Sequence, residues 1–413
     1  MNRLVLIGNG FDLAHGLKTS YADFIDWYFD KRAKEICCTY AQESSDKLFS
    51  VKYLGQGYLY TYFYYSQVLH EERGYGKEIL QEIFENKNAF ESKISPLFER
   101  ILKGMESKTW AGIEQDYYDL LKEYAFRDPN INPVEPPIKA LNQQLRYLQQ
   151  LLVEYLTEVT QEKPTAIKSV KDAIYAPLRT EDMSIDGERQ LNEHKKYWET
   201  RKNDYEIEEI ISNYGLDYNE NMQRIHWWKE APKCNSYPEA FYLPNNILFL
   251  NFNYTDTVQL YITPRYQNQE NHIHGNITNP ASIIFGYGDE LDDKFKELKA
   301  HKNNACLSHV KSIRYLEAPN YRRMLSFIES EPFQVLIMGH SCGNSDRTLL
   351  NTIFEHKNCV SIKPYFYQKE DGTNNYIELI QNISRNFNDM KLMRDRVVNK
   401  TQCEPLPQIK KQE

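Results

Sequence analysis

The sequence predicts an α/β fold, a doubly wound and mostly parallel sheet carrying a large, mainly α-helical insertion. Three observations predict it. The chain opens with an apolar run, Leu4 to Ile7, that enters Gly8-Asn9-Gly10, the pattern of a strand feeding a glycine turn. From about residue 241 short apolar runs alternate with helical stretches, as they do around a parallel sheet. Between these regions, roughly 34 to 240, the chain is rich in Glu, Lys, Gln, Leu and Tyr and almost free of β-rich runs. At 413 residues it exceeds one ordinary domain. The first strand has no neighbour nearby in sequence, so it is expected to join the C-terminal sheet. The expected division is a discontinuous domain of residues 1–30 plus 241–400, an insertion of 31–240, and a disordered tail of 401–413.

Element by element, Leu4–Ile7 is the first strand. Tyr21–Ala33 reads as an amphipathic helix, with Phe24, Trp27 and Tyr28 at helical spacing. Ile94–Met105, Trp110–Tyr124 and Ile138–Val159 read as further helices, with Pro133, Pro136 and Pro137 marking the break before the last. Residues 165–235 are polar and unassigned. Asn246–Asn253, Asn271–His274, Ser282–Phe285, Gln334–Met338 and Cys359–Tyr365 are strand candidates. Tyr321–Glu329 and Asp346–His356 are helical stretches between them.

Hydrophobic residues make up 41% of the chain, enough for real cores, and the formal net charge is −8. That balance argues against nucleic acid as a partner, because phosphate-backbone binding needs a basic face. No run of about 20 apolar residues exists to span a membrane, and the opening run is too short for a signal peptide. The seven cysteines are scattered with no CxxC, which suits a reducing cytoplasm and offers no structural zinc set.

Ligands of an open parallel sheet bind beyond the carboxyl ends of its strands, so the polar residues after each strand candidate matter most. After the first comes Gly8-Asn9-Gly10-Phe11-Asp12. Glycines let backbone N–H groups approach an anion and a helix N-terminus favours it; a plain tight turn accounts for them equally well. Leu13 stands where a dinucleotide fingerprint has its third glycine. The acid expected about 20 residues on, after a second strand, is also missing, which argues against a standard dehydrogenase. After the second candidate comes Asn251-Phe252-Asn253-Tyr254-Thr255-Asp256. The Asn253 amide can hold a water or a sugar hydroxyl, or simply shape a turn.

The third group is His272-Ile273-His274-Gly275. His274 is a candidate general base, against the commoner role of a hydrogen-bonded structural histidine. His272 and His274 share a strand face, a spacing that can suit a metal. No acidic partner follows the first strand in the required pattern, so no metal is expected and His272 reads as structural. The fourth group, Gly339-His340-Ser341-Cys342-Gly343-Asn344-Ser345-Asp346, contains G-x-S-x-G between strand and helix, the context of a hydrolase nucleophile elbow. The one histidine after Ser341 is His356, and it lies with Asp346 on the helix that follows, where a triad is hard to build. Ser341 is better read as part of a second ligand-cradling turn. Trp110 and Glu114 read as packing and capping, Trp227-Trp228 as core or interface, and Tyr53–Tyr65 as a packed surface or an assembly contact.

Together LIGNGFDLAHGLKTSYADF, FNYTDT, HIHGNI and GHSCGNSD resemble the bacterial abortive-infection AbiH family, implicated in defence against bacteriophage. The motif order is similar, more distantly, to the sirtuin-like form of the Rossmann-like fold that binds NAD. That resemblance implies NAD as substrate or ligand, with no metal, and cleavage of its nicotinamide–ribose bond. It implies cofactor contacts from Gly8, Asn9, Gly10, Phe11 and Asp12, and from Thr19 and Tyr21 where the cofactor loop would lie. It adds Asn251, Gly275, Gly339, His340, Ser341 and Asp346. Asn253 and His274 are the implied catalytic pair. Thr255 stands where that motif has Asp, and the paired-cysteine zinc module of deacylating sirtuins is absent, so deacylation is not expected. Two alternatives stay open: a nucleotide-sensing module without chemistry, and a serine hydrolase using Ser341. A homo-oligomer and a phage-derived trigger are the expected partners, with the helical middle as lid or sensor.

Overall fold

The computed structural model describes residues 1–65, 76–103, 110–127, 135–200, 243–264 and 269–409. Its strands are β1 (Asn2–Ile7), β2 (Glu43–Ser45), β3 (Phe49–Tyr53), β4 (Phe90–Ile94), β5 (Ile247–Asn251), β6 (Gln269–His272), β7 (Phe333–Met338) and β8 (Cys359–Tyr365). Five of them form one sheet in the order β6-β5-β1-β7-β8, with every neighbouring pair parallel. The first strand is therefore the sheet's centre, with Leu4 in register with Leu248 on one side and Val335 on the other.

The sequence dictates this burial directly. Side chains alternate faces along a strand, and a sheet covered on both faces needs apolar residues at every position. Leu4, Leu6, Leu248, Leu250, Val335 and Ile337 enter one core, with Met324, Ile328, Leu349 and Ile383 from the helices Asn320–Ser330, Arg347–Phe354 and Tyr376–Arg385. Val5, Ile7, Ile247, Phe249, Leu336 and Met338 enter the other, with Phe11 and with Val170 and Ile174 from the helix Lys168–Tyr175. Continuous apolar runs thus become a two-faced central sheet. The order reverses at β1: β5 and β6 lie to one side, β7 and β8 to the other. The switch falls between the carboxyl ends of β1 and β7, where ligands of such sheets bind.

The chain divides into two compact units, Met1–Leu17 with Glu162–Ile284 and Arg314–Glu413, and Lys18–Gln161 with Phe285–Ile313. The second holds the helices Tyr21–Cys37, Pro96–Leu102, Trp110–Ala125 and Glu135–Val159. Ser20 and Ser95 cap the first two, their hydroxyls accepting from Asp23 N at 3.1 Å and Phe98 N at 3.3 Å. It also contains a small antiparallel sheet, β2-β3-β4, where the sequence reading found almost no strand. In β3 Phe49 and Val51 face inward and Lys52 outward, a period-two signal too short to stand out beside the tyrosines that follow.

Other elements also differ. Ile94 ends β4, and the helix expected from it begins at Pro96. Ser282–Phe285 is not a strand; Ile284 N bonds the carbonyl of His274 at 2.8 Å instead of joining a ladder. The expected tail packs as far as Ile409. Leu406 is buried, its N–H bonds Phe366 O at 2.8 Å, and Ile409 N bonds Ala14 O at 2.9 Å. Leu406 and Ile409 are isolated apolar residues in a polar stretch, so composition gave no sign of them. Among the described residues no helix is long and apolar enough to cross a membrane.

Candidate functional site at the carboxyl edge of the sheet

The turns after β1 and β7 meet backbone to backbone. A Cβ on Gly8 would lie 2.4 Å from His340 Cα, and one on Gly339 would lie 2.1 Å from Phe11 N. Gly339 also has φ +76°, a conformation that side chains disfavour. Gly8 N donates to Met338 O at 3.2 Å, Gly10 N to Gly339 O at 2.9 Å, and Phe11 N to Gly8 O at 2.8 Å. The glycines permit this crossing, and these N–H groups are engaged within the protein. Gly8, Asn9, Gly10, Phe11, Gly339 and His340 are thus brought together. Phe11 is fully buried, 4.5 Å from the His15 ring and 5.6 Å from Tyr261.

Asp12, on the short helix Asn9–Ala14, is buried at 1% exposure. Thr255 Oγ1 donates to its Oδ2 at 2.6 Å, while Oδ1 has no hydrogen-bond partner. Burial pushes its carboxyl up to about 6, against the pull of the hydrogen bond from Thr255. Thr255 is the residue the sequence reading treated as a departure. A carboxylate there would oppose the buried carboxylate of Asp12, whereas a hydroxyl can donate to it. Asn253 N donates to Asn251 Oδ1 at 2.9 Å and its Nδ2 to Gly8 O at 3.0 Å. Asn251 Nδ2 donates to Thr255 O at 3.0 Å. The two asparagines therefore tie the loop after β5 to the first glycine turn.

His274 lies beyond the end of β6 and is buried. Its Nε2 is 3.1 Å from the Tyr315 hydroxyl and 3.2 Å from Asp346 Oδ1. The Tyr315 ring is parallel to the imidazole, and Phe252 meets it edge-on with centroids 5.3 Å apart. Asp346 Oδ2 lies 3.6 Å from His340 Nε2, and His340 Nδ1 accepts from Cys342 N at 3.0 Å. One carboxylate thus stands between two imidazoles. Gly275 holds the next turn at φ +83°, where a Cβ would lie 2.2 Å from Ser282 O. Tyr315 was not singled out from the sequence; no local motif marks it, because its role arises from the fold.

Other expected residues lie elsewhere. Thr19 and Tyr21 belong to the helical unit, where Trp110 Nε1 donates to Thr19 O at 2.9 Å and Tyr21 packs on Trp110 with centroids 5.8 Å apart. Glu114, expected as a cap, forms a buried ion pair with Lys311 at 2.8 Å. Ser341 is exposed, and its carbonyl accepts from Asn382 Nδ2 at 2.9 Å. The turn's positive-φ side chain is its neighbour Cys342, at φ +53°, a buried thiol that burial pushes well above its usual range. Tyr60 stacks on Tyr40 and Tyr64 with centroids 4.5 and 5.5 Å apart. Trp227 and Trp228 lie outside the described residues.

His272 and His274 do not converge. His272 Nε2 is 2.9 Å from Glu270 Oε1 and 3.2 Å from Asp256 Oδ1. Burial works against the charged imidazole, and the hydrogen bond and charge of Glu270, with the Asn253 carbonyl and Asp256, outweigh it and raise the pKa. Asp256, Glu270 and His272 each offer a ligand atom, all within 4.8 Å of one another.

No curated protein and no solved structure matches the chain. The family model for bacteriophage abortive infection AbiH matches residues 4–368, most of the chain and all four edge motifs. The chain belongs to the AbiH family, and with it to the abortive response to bacteriophage.

Proposed function

We propose that the protein acts in that response by binding NAD at the carboxyl edge of the five-stranded sheet and hydrolysing its nicotinamide–ribose bond. The observation that carries this reading is the buried His274, with Asp346 Oδ1 at 3.2 Å and the Tyr315 hydroxyl at 3.1 Å from its Nε2. A histidine anchored by a carboxylate has a fixed ring and tautomer, which is what a general base needs. In the proposed reaction the C1′–N bond breaks through an oxocarbenium-like transition state. Water adds at C1′, its proton passes to His274, and nicotinamide leaves as a neutral molecule. Asp346 and Tyr315 act as positioning residues. Asp12 faces the ribose side, and Asn253 shapes the site by holding Gly8.

The test is incubation of purified protein with NAD, and with ATP as control, with nicotinamide followed by chromatography. Release is expected from the wild type, with a loss of about 10²-fold or more in His274→Ala. Asp346→Asn should lower kcat more than it changes KM. Release that is undiminished in His274→Ala would overturn the assignment of the base. A second reading, nucleotide sensing without chemistry, is favoured by one observation: the N–H groups of Gly8, Gly10 and Phe11 and the Asn253 amide already bond within the protein. It predicts saturable NAD binding with no product. A serine hydrolase at Ser341 predicts labelling there by a fluorophosphonate.

A further inference from the structure

We infer that Asp256, Glu270 and His272 form a binding site for one divalent cation of the manganese or zinc class, beside but separate from the His274 cluster. The argument begins with the imidazole. His272 Nδ1 lies 3.3 Å from the carbonyl oxygen of Asn253, which can only accept, so Nδ1 carries the proton. On the other side Asn276 Nδ2 lies 3.0 Å from Nε2. The orientation of that amide is set independently, because its Oδ1 accepts from Thr278 N at 2.8 Å. The same Nδ2 donates to Asp256 Oδ1, so this amide holds that carboxylate beside the imidazole.

Nε2 itself is 2.9 Å from Glu270 Oε1 and 3.2 Å from Asp256 Oδ1. The three ligand atoms lie within 4.8 Å of one another, and a divalent cation bound among them would take the place of the Nε2 proton that otherwise bonds the carboxylates. The separations suit this. Ligands at about 2.1 Å from a metal in octahedral array stand about 3.0 Å apart along an edge. A divalent ion balances two carboxylates, and one imidazole with two carboxylates is a donor set for manganese or zinc. The outer contacts are those that orient metal ligands. The Asn253 carbonyl holds the imidazole N–H, Asn251 Nδ2 donates to Glu270 Oε1 at 3.2 Å, and Gln259 Nε2 donates to Glu270 Oε2. Three protein ligands leave positions for water or a phosphate oxygen. The expectation of no metal rests on the lack of an acidic partner after the first strand, for the pair His272 and His274. The set instead combines one of them with carboxylates from the loop after β5 and from β6 itself.

The experiment is equilibrium binding to the full-length protein after treatment with EDTA and dialysis. Mn²⁺ is the first probe, followed through its free-ion EPR signal, because thiols compete poorly for it; Zn²⁺ is measured by calorimetry. The wild type should take up one equivalent, and Asp256→Asn, Glu270→Gln and His272→Ala should each bind at least about 10-fold more weakly. Asp256 is about half exposed, so its variant separates ligand loss from misfolding, with circular dichroism as the check. No saturable uptake of either ion by the wild type would overturn the site, as would unchanged affinity in all three variants.

Discussion

The carboxyl edge of the five-stranded sheet has two halves built by different means. At the switch point between β1 and β7 the contact is backbone on backbone, with glycines crossing at Gly8, Gly10 and Gly339. Beyond β5 and β6 the work falls to side chains: Asp12 with Thr255, His274 with Asp346 and Tyr315, and His272 with Glu270 and Asp256. In the first half the backbone polar groups of Gly8, Gly10 and Phe11 are committed within the protein. The second gathers titratable groups, Asp12, His274 and Asp346 buried among them, in the kind of setting where pKa values move and functional sites tend to lie. A glycine-rich turn after a first strand therefore does not by itself locate an anion site. In this chain it is the hinge pin on which the neighbouring loops are hung.

The largest expected effect comes from breaking the glycine crossing. Gly339→Ala places a Cβ 2.1 Å from the backbone nitrogen of Phe11 at a φ of +76°. Backbone cannot yield as the end of a side chain can, so the variant should lose more than about 4 kcal/mol and accumulate poorly in soluble form. Thermal unfolding of whatever folds gives the number. A melting temperature within a few degrees of wild type would mean the turns move apart easily, and the contrast between the halves would fail.

The next effect probes the polar half through pH. The Asp12 carboxyl is raised from 3.8 to about 6 by burial, so the folded state holds that proton more tightly than the unfolded chain. The stability this proton contributes is full below about pH 4 and is lost as pH rises through about 6. Relative to Asp12→Asn, which does not titrate, the wild type should lose on the order of 3 kcal/mol between pH 4 and pH 7. Parallel stability profiles in urea across that range would show that water reaches Asp12.

These two regions also explain what could be read in advance. The strands of the central sheet were legible because both its faces are covered, so Leu4–Ile7 and Gln334–Met338 read as unbroken apolar runs. The edge motifs were legible as polar residues at strand ends. Their partners were not. Thr255 looked like a defect until Asp12 was seen beneath its hydroxyl, and Tyr315 meets His274 across 41 positions of chain. The strand β3 is hidden because it is five residues long and two of those, Phe49 and Val51, carry its buried face. Long-range pairing in a discontinuous unit leaves no local periodicity to find.

A smaller effect should follow from Thr255→Val. The substitution keeps the shape and removes the hydroxyl that bonds Asp12 Oδ2 at 2.6 Å. A hydrogen bond to a charged group contributes about 2 kcal/mol, so a loss of that order is expected at pH 7. At pH 5, where Asp12 is mostly protonated, the loss should shrink. An equal loss at both values would assign Thr255 to packing alone.

The smallest effect belongs to Ser341, and it sharpens the comparison most cleanly. Its residue is exposed, and the bond its segment makes to Asn382 uses the carbonyl oxygen, which any residue has. Ser341→Ala should therefore change stability by no more than about 0.5 kcal/mol. In the wild type a fluorophosphonate should leave Ser341 unlabelled, since both ring nitrogens of the adjacent His340 face other groups, Cys342 N and Asp346. An activated serine needs a base within hydrogen-bond reach. Labelling at this position would show that the turn after β7 does chemistry as well as packing, and would move the catalytic half of the edge to the glycine crossing.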